Sequence, residues 1–210
     1  MKINLDNLIK LNYLTKHRQG HSPDLCLVNT AGTHKILLIP KNASTWLKTN
    51  LVGHGWQRCN DDSTHLSTLV LLRDPIDRWL SGVVQYLARN FPAVQHNTIN
   101  SDFAKLIFDH VELDEHTQSQ FVFLSNIDLD NTVFVWIDHN FNNNIQTWLA
   151  AAGSQPINAD AIYTTAEDHY RQLLRNKLVD IYQNSAHLQQ RLQSYFEIEY
   201  QMIETYGLKK

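Results

Sequence analysis

The sequence contains few of the residues that cross-link, break or loosen a chain. Its 210 residues include only two cysteines, five prolines and seven glycines. Cys26 and Cys59 alone do not make a disulfide framework, so we expect a reducing, cytoplasmic setting. No internal repeat, low-complexity tract or linker interrupts the chain, and its length suits one domain with a substantial core.

Charge and hydropathy exclude two classes of partner. The formal net charge is −3, whereas a broad nucleic-acid surface is normally basic, so we expect no nucleic-acid partner. No apolar run approaches the length of a membrane span, and residues 1–14 lack a signal-peptide core, so we expect no membrane partner. The histidines are scattered without the spacing of metal ligands, so we expect no metal.

Two short segments carry most of the functional information. Residues 36–39 (Ile-Leu-Leu-Ile) form an apolar strand that runs into residues 40–46 (Pro-Lys-Asn-Ala-Ser-Thr-Trp). Residues 69–72 (Leu-Val-Leu-Leu) run in the same way into residues 73–81 (Arg-Asp-Pro-Ile-Asp-Arg-Trp-Leu-Ser). A strand that feeds a helix N-terminus makes an anion site, because free backbone N–H groups and the helix dipole both point at the turn. A Lys in one turn and an Arg in the other suit a ligand with two separated anionic groups.

The residues around each turn match the start of a helix. Ser44 and Thr45 can cap the first helix and offer hydroxyl groups to an oxyanion. In the second segment Asp74 is an N-cap candidate and Pro75 occupies the first helical position, where proline is preferred. Each segment is therefore predicted to be a strand, a turn and a helix.

The same patterns predict an α/β fold. Strands are predicted at residues 35–40, 56–59, 68–73 and 132–137, and helices at residues 44–52, 75–90, 101–111, 114–125 and 141–152. A capping box of Thr164 and Glu167 opens a helical C-terminal third. We expect residues 1–210 to form a single domain with a small central parallel sheet flanked by helices, after a loop-rich lead-in at residues 1–33. Ligands of such sheets bind beyond the carboxyl ends of the strands, where both turns fall.

The paired segments resemble the sulfotransferases that use 3′-phosphoadenosine 5′-phosphosulfate (PAPS) as sulfuryl donor. Residues 40–46 look like the family's 5′-phosphosulfate loop, and residues 73–81 look like its 3′-phosphate element. The resemblance implies a P-loop-like sulfotransferase architecture, with PAPS as co-substrate. It also implies the donor-binding residues, which are Lys41, Asn42, Ala43, Ser44, Thr45 and Trp46 in the first segment, and Arg73 and Ser81 in the second. In this assignment Trp46 faces the adenine, and Arg73 and Ser81 hold the 3′-phosphate.

Downstream segments resemble the carbohydrate-type branch of the family. His116 and Gln120, with the residues between them, are similar to its His-x-x-x-Gln stretch. The resemblance implies transfer of a sulfuryl group to a hydroxyl of a saccharide or small metabolite. Lys41 would neutralise the charge that develops on the leaving phosphate oxygen.

The sequence leaves the general base open among three residues. His65 lies in a Thr-His-Leu triplet similar to that of cytosolic sulfotransferases, but only eight residues before Arg73. Asp62 follows a predicted strand, and His116 is predicted to share a helix face with Gln120.

Two other functions fit parts of the pattern. A P-loop-type nucleotide kinase would also bind an anionic nucleotide, although Lys41 precedes the turn instead of closing it and no Gly-x-x-x-x-Gly-Lys-Ser/Thr motif exists. A catalytically silent protein that binds PAPS or its desulfated product would also keep both turns.

Overall fold

A computed structural model describes residues 26–59, 65–91, 96–124, 127–157 and 169–208. Its described strands form one five-stranded mixed sheet in the order β3-β1-β2-β4-β5. The strands are β1 (Cys26–Asn29), β2 (His34–Leu37), β3 (Trp56–Cys59), β4 (Ser67–Leu72) and β5 (Thr132–Trp136). Helices accompany this sheet, so the predicted α/β class is confirmed.

Three neighbouring strands form the parallel part of the sheet. β2 pairs with β4, with Ile36 opposite Leu69, and β4 pairs with β5, with Leu69 opposite Val133. These three strands were expected from apolar runs of β-branched and leucine residues, which suit a strand that is buried on both faces. Because β2 and β4 are parallel neighbours, the loops that follow Leu37 and Leu72 leave the same edge of the sheet.

The predicted small central parallel sheet covers only β2, β4 and β5, because β1 is antiparallel to both of its neighbours, β2 and β3. β1 lies within residues 1–33, which were expected to be a loop-rich lead-in. Only residues 30–33 join β1 to β2, with Gly32 at φ 64°. A connection this short can join only antiparallel strands, since a parallel pair needs a crossover of a dozen residues or more.

The described residues contain six α-helices. They are α1 (Ser44–Leu51), α2 (Pro75–Asn90), α3 (Ser101–Asp109), α4 (Phe141–Ala151), α5 (His169–Gln183) and α6 (Ala186–Thr205). The predicted helix at residues 75–90 has the predicted bounds, because Asp74 accepts hydrogen bonds from the Ile76 and Asp77 N–H groups. The last two helices confirm the helical C-terminal third, whereas the proposed capping box of Thr164 and Glu167 lies outside the described residues.

The predicted helix at residues 114–125 is wrong. Residues 114–119 form turns, and only a short 3₁₀ segment, Gln120–Leu124, follows. The Thr117 hydroxyl accepts hydrogen bonds from the N–H groups of Leu113 and Asp114 at 2.7 and 3.0 Å. Side-chain bonds of this kind compete with the helical pattern and turn the chain.

The chain divides into two compact units. The sheet, α1 and α4 belong to the first unit, which combines Met1–Arg73 with Gln120–Thr165. Its core packs Leu27, Ile36 and Leu69 of the sheet with apolar side chains of the two helices.

The second unit combines Asp74–Ser119 with Ala166–Lys209 and is helical where it is described. It has its own apolar core, which includes Trp79, Phe108 and Phe196. None of the helices that the structure describes is both long and apolar enough to cross a membrane.

Candidate functional site

The loop between β2 and α1 has an unusual backbone. Lys41 has φ 66° and Ala43 has φ 59°, so two non-glycine residues adopt the left-handed conformation within three positions. That conformation costs an L-residue roughly 1–2 kcal/mol. Backbone strain of this kind persists only where the surrounding structure fixes it, and it is common at ligand-binding loops.

The first turn of α1 carries no side-chain cap. Ala43 is the N-cap residue and has no side-chain oxygen, so the expected capping by Ser44 or Thr45 is wrong. Ser44 is half-buried and Thr45 is exposed, and both belong to the first turn of the helix. Uncapped N–H groups and two hydroxyl groups at a helix N-terminus favour the binding of an oxyanion.

Asn42 fixes the loop from inside. Its side chain is 1% exposed, and its Nδ2 donates hydrogen bonds to the Leu71 carbonyl at 2.7 Å and to Gln120 Oε1 at 2.8 Å. The first bond ties the loop after β2 to β4, and the second ties it to the 3₁₀ segment that begins at Gln120. The two hydrogen bonds of Asn42 Nδ2 therefore hold this loop in its conformation.

Gln120 fixes the second loop in the same way. Its Nε2 donates to the Arg73 carbonyl at 2.8 Å, and its Oε1 accepts from the Arg73 N–H at 3.3 Å as well as from Asn42. The side chain is fully buried. Asn42 and Gln120 thus form an amide clamp that joins the Lys41 loop to Arg73.

The clamp brings two cationic residues to one edge of the sheet. Arg73 Nη1 lies 3.5 Å from the Lys41 carbonyl oxygen. Lys41 and Arg73 are both partly exposed. Partly exposed cations beside an uncapped helix N-terminus attract anions, and the guanidinium group can bind a phosphate with two parallel hydrogen bonds.

Trp46 is a core residue in this structure. It is 2% exposed and packs edge-on against Phe141, with the ring centroids 5.8 Å apart. Its Nε1 is buried and has no hydrogen-bond partner among the described residues. The role toward adenine that the resemblance implies would need an exposed ring face, and it stays a prediction.

In the second unit, α2 begins as predicted and carries Ser81 in its interior. Ser81 is 4% exposed, and its role toward a 3′-phosphate stays a prediction. Asp74 caps the helix and also accepts a hydrogen bond from the Tyr200 hydroxyl at 3.0 Å. Arg78 is 1% exposed and donates to the carbonyl groups of Gln118 and Glu115, so it holds the 114–119 turns in place.

His116 is paired with a carboxylate in these turns. The ring Nδ1 of His116 lies 3.1 Å from Asp114 Oδ2, and the backbone N–H of His116 donates to Asp114 Oδ1 at 2.9 Å. An Asp on Nδ1 fixes the tautomer that leaves Nε2 as a proton acceptor. The sequence reasoning found His116 and missed Asp114, although an Asp two residues before a His in a turn is a readable signal.

The other two candidate bases fare differently. His65 is exposed and lies two residues before the start of β4, whereas Arg73 follows the strand at its other end. Six strand residues span about 20 Å, so His65 lies far from the edge that carries Lys41 and Arg73. Asp62 lies outside the described residues. The described residues contain no group of three or more His, Cys, Asp or Glu side chains that could hold a metal ion.

Known proteins give no independent assignment. Comparison of the chain with family models, with curated proteins and with solved structures finds no match in any of the three.

Proposed function

We propose that the chain is a sulfotransferase that moves a sulfuryl group from PAPS to a hydroxyl of a saccharide or small metabolite. One observation supports this most strongly: the amide clamp holds the Lys41 loop and Arg73 together at the carboxyl ends of two parallel strands. A donor with a 5′-phosphosulfate and a 3′-phosphate carries anionic groups at two separate places. Two cationic residues, Lys41 and Arg73, whose loops are held in fixed positions relative to each other, suit such a ligand.

The proposed roles follow from the chemistry of the transfer. The acceptor hydroxyl oxygen bonds to sulfur while the bond from sulfur to the phosphate oxygen breaks, and the hydroxyl proton passes to a base. The phosphate oxygen gains negative charge, which the Lys41 ammonium group stabilises together with the N–H groups at the start of α1. Arg73 binds the 3′-phosphate, and the base is one of His116, Asp62 and His65.

The binding half of the proposal is tested with the desulfated donor, 3′-phosphoadenosine 5′-phosphate, by isothermal titration calorimetry. We expect Lys41→Ala and Arg73→Ala each to weaken binding roughly 10- to 100-fold, because each removes a charge-assisted hydrogen bond. Lys48→Ala, in the last turn of α1, and Arg58→Ala, on β3, remove the same charges elsewhere and should leave the affinity within about twofold.

A second nucleotide distinguishes the role of Arg73 from that of Lys41. Arg73→Ala should weaken binding of the 3′,5′-bisphosphate but leave binding of adenosine 5′-monophosphate unchanged, since the latter has no 3′-phosphate. Absence of binding to the wild-type chain would refute the proposal. A Mg²⁺-dependent preference for ATP would replace it with a kinase or nucleotide hydrolase.

The transfer half is tested with labelled PAPS and a panel of saccharides and phenols. We expect labelled product with the wild type, and a loss of about a hundredfold or more with Lys41→Ala. The base is identified by a comparable loss of kcat in one of His116→Ala, Asp62→Ala and His65→Ala with unchanged nucleotide affinity. Donor binding without turnover on any acceptor would favour a silent binding protein instead.

A further inference from the structure

The only two cysteines of the chain lie opposite each other on the neighbouring strands β1 and β3. Cys26, the first residue of β1, is the register partner of Cys59, the last residue of β3. Both are thiols in this structure, and the Cys26 Sγ–H donates to the Cys59 carbonyl at 2.6 Å. Cys26 is buried, and Cys59 is partly exposed.

The expected Cα separation of Cys26 and Cys59 is within the range of disulfides. Thr30 N–H donates to the Gly55 carbonyl at 2.9 Å, which marks that pair as hydrogen-bonded. Hydrogen-bonded and non-hydrogen-bonded pairs alternate along an antiparallel ladder, so the Cys26–Cys59 pair, four positions further, is also hydrogen-bonded. The Cα atoms of such pairs lie about 5.5 Å apart, within the roughly 4.4–6.8 Å that disulfides span. Their Cβ atoms lie about 5 Å apart or more, so the two strands have to approach by up to about 1 Å for the bond to form. Directly opposed residues also point their side chains to the same face of the sheet.

We propose that Cys26 and Cys59 are a redox-modification site that forms an intrachain cross-strand disulfide when the chain meets a low-molecular-weight disulfide. The more exposed Cys59 is the attacking residue, and the buried Cys26 is the resolving residue. The ring closed by the bond contains β2, the Lys41 loop and α1, so oxidation fixes this whole segment to the sheet.

The step is two consecutive thiol–disulfide exchanges. The Cys59 thiolate attacks one sulfur of the small disulfide, forms a mixed disulfide and releases one small thiol. The Cys26 thiolate then attacks the Cys59 sulfur, forms the intrachain bond and releases the second small thiol. Two protein thiols are oxidised, and one small disulfide is reduced to two thiols.

The test equilibrates the full chain in buffers of oxidised and reduced glutathione, quenches with acid, blocks remaining thiols with iodoacetamide and measures the intact mass. We expect one oxidised species that is about 2 Da lighter than the reduced chain and carries no blocking group or glutathione, since both thiols are lost together. The equilibrium constant for this bond should be at least about tenfold larger in native buffer than in urea, because a disulfide compatible with the fold stabilises it.

Register provides the matched control. Arg58 is the exposed neighbour of Cys59 and points to the opposite face of β3, so R58C/C59S moves the thiol by one residue and should form no intrachain disulfide with Cys26. Cys26→Ser should stop the wild-type reaction at the mixed disulfide on Cys59. The proposal is overturned if mixed disulfides are the only product of the wild type. It is also overturned if the equilibrium constant for the intrachain disulfide is less than tenfold larger in native buffer than in urea, or if R58C/C59S forms the intrachain disulfide as readily as the wild type.

Discussion

Gln120 binds the backbone of Arg73 through both atoms of its side-chain amide. The Nε2 donates to the Arg73 carbonyl at 2.8 Å, and the Oε1 accepts from the Arg73 N–H at 3.3 Å. The amide thus pairs with Arg73 as a peptide group of a neighbouring strand would, just beyond the end of β4. Gln120 also accepts a hydrogen bond from Asn42, so this one side chain fixes the position of Arg73 relative to the loop that carries Lys41.

Gln120→Ala should lower the free energy of unfolding by about 2–4 kcal/mol, because it removes the buried hydrogen bonds of this side chain to the Asn42 amide and to the Arg73 peptide groups. Gln118→Ala is the matched control: Gln118 is also buried, but its Oε1 has no hydrogen-bond partner among the described residues. Urea denaturation of both variants measures the difference. An equal loss in both would mean that the clamp bonds contribute nothing beyond packing.

Substitutions at Ala43 should follow the backbone conformation. Ala43→Gly should keep or raise stability by up to about 1 kcal/mol, since glycine adopts φ 59° without steric cost and the gain is offset by its greater freedom in the unfolded chain. Ala43→Val should destabilise by about 2 kcal/mol or more, because a β-branched residue is strained there. Thr49→Gly, at an exposed position in the last turn of α1, should instead cost up to about 0.5 kcal/mol, since threonine is itself one of the weaker helix formers. Thermal unfolding of the three variants gives the order; an Ala43→Gly variant less stable than Thr49→Gly would contradict it.

Gly82→Ala should be strongly destabilising, although alanine is the better helix former. A Cβ at Gly82 would lie 2.3 Å from the His116 carbonyl oxygen and 2.7 Å from its carbon, so the backbone of the 114–119 turns would have to move. We expect a loss of about 2–3 kcal/mol, measured by chemical denaturation.

The partner in this clash is main chain, which gives the prediction a specific control. His116→Ala keeps the carbonyl group, so G82A/H116A should lose at least the sum of the two single losses. Recovery of stability in the double variant would show that the imidazole ring, and not the backbone, is what α2 packs against.

The Tyr200 hydroxyl should make stability fall at alkaline pH. Burial raises the pKa of Tyr200 well above its usual value near 10, and the Asp74 carboxylate raises it further. Above pH about 10 the unfolded chain then binds fewer protons at this residue than the folded chain, so unfolding becomes easier as pH rises towards the folded pKa. Tyr200→Phe should show a shallower fall of Tm than the wild type in this window.

Asp74→Asn tests the cause of that shift. Asparagine keeps the N-cap of α2 but removes the charge, so the pKa of Tyr200 should move down towards its ordinary value. Ultraviolet titration of the tyrosines, with Tyr200→Phe to identify the signal, measures it. An unchanged titration in Asp74→Asn would assign the raised pKa to burial and to the neighbouring Glu199 and Tyr182.

The accuracy of sequence prediction varied with the range of the interactions involved. β4 and α2 were predicted closely, because an apolar run, the Asp74 cap and Pro75 all act within a few residues. Residues 114–119 were mistaken for helix because the one-turn spacing of His116 and Gln120 was read without the hydroxyl of Thr117, which accepts hydrogen bonds from two nearby N–H groups. β1 was missed because four residues beside a turn acquire strand structure only by pairing with β2 and β3.

The sequence by itself determined the two strand-to-helix turns. It showed where each strand stops, that Lys41 and Arg73 follow, and that α1 and α2 begin there. These features depend on capping, turn and burial preferences that act over one or two turns of chain. Only the tertiary structure decided what holds the two turns together and which cysteines meet. The Asn42–Gln120 bond joins residues 78 positions apart, and the Cys26–Cys59 pair joins residues 33 apart. Contacts over such distances depend on how the strands pair, which no local preference encodes.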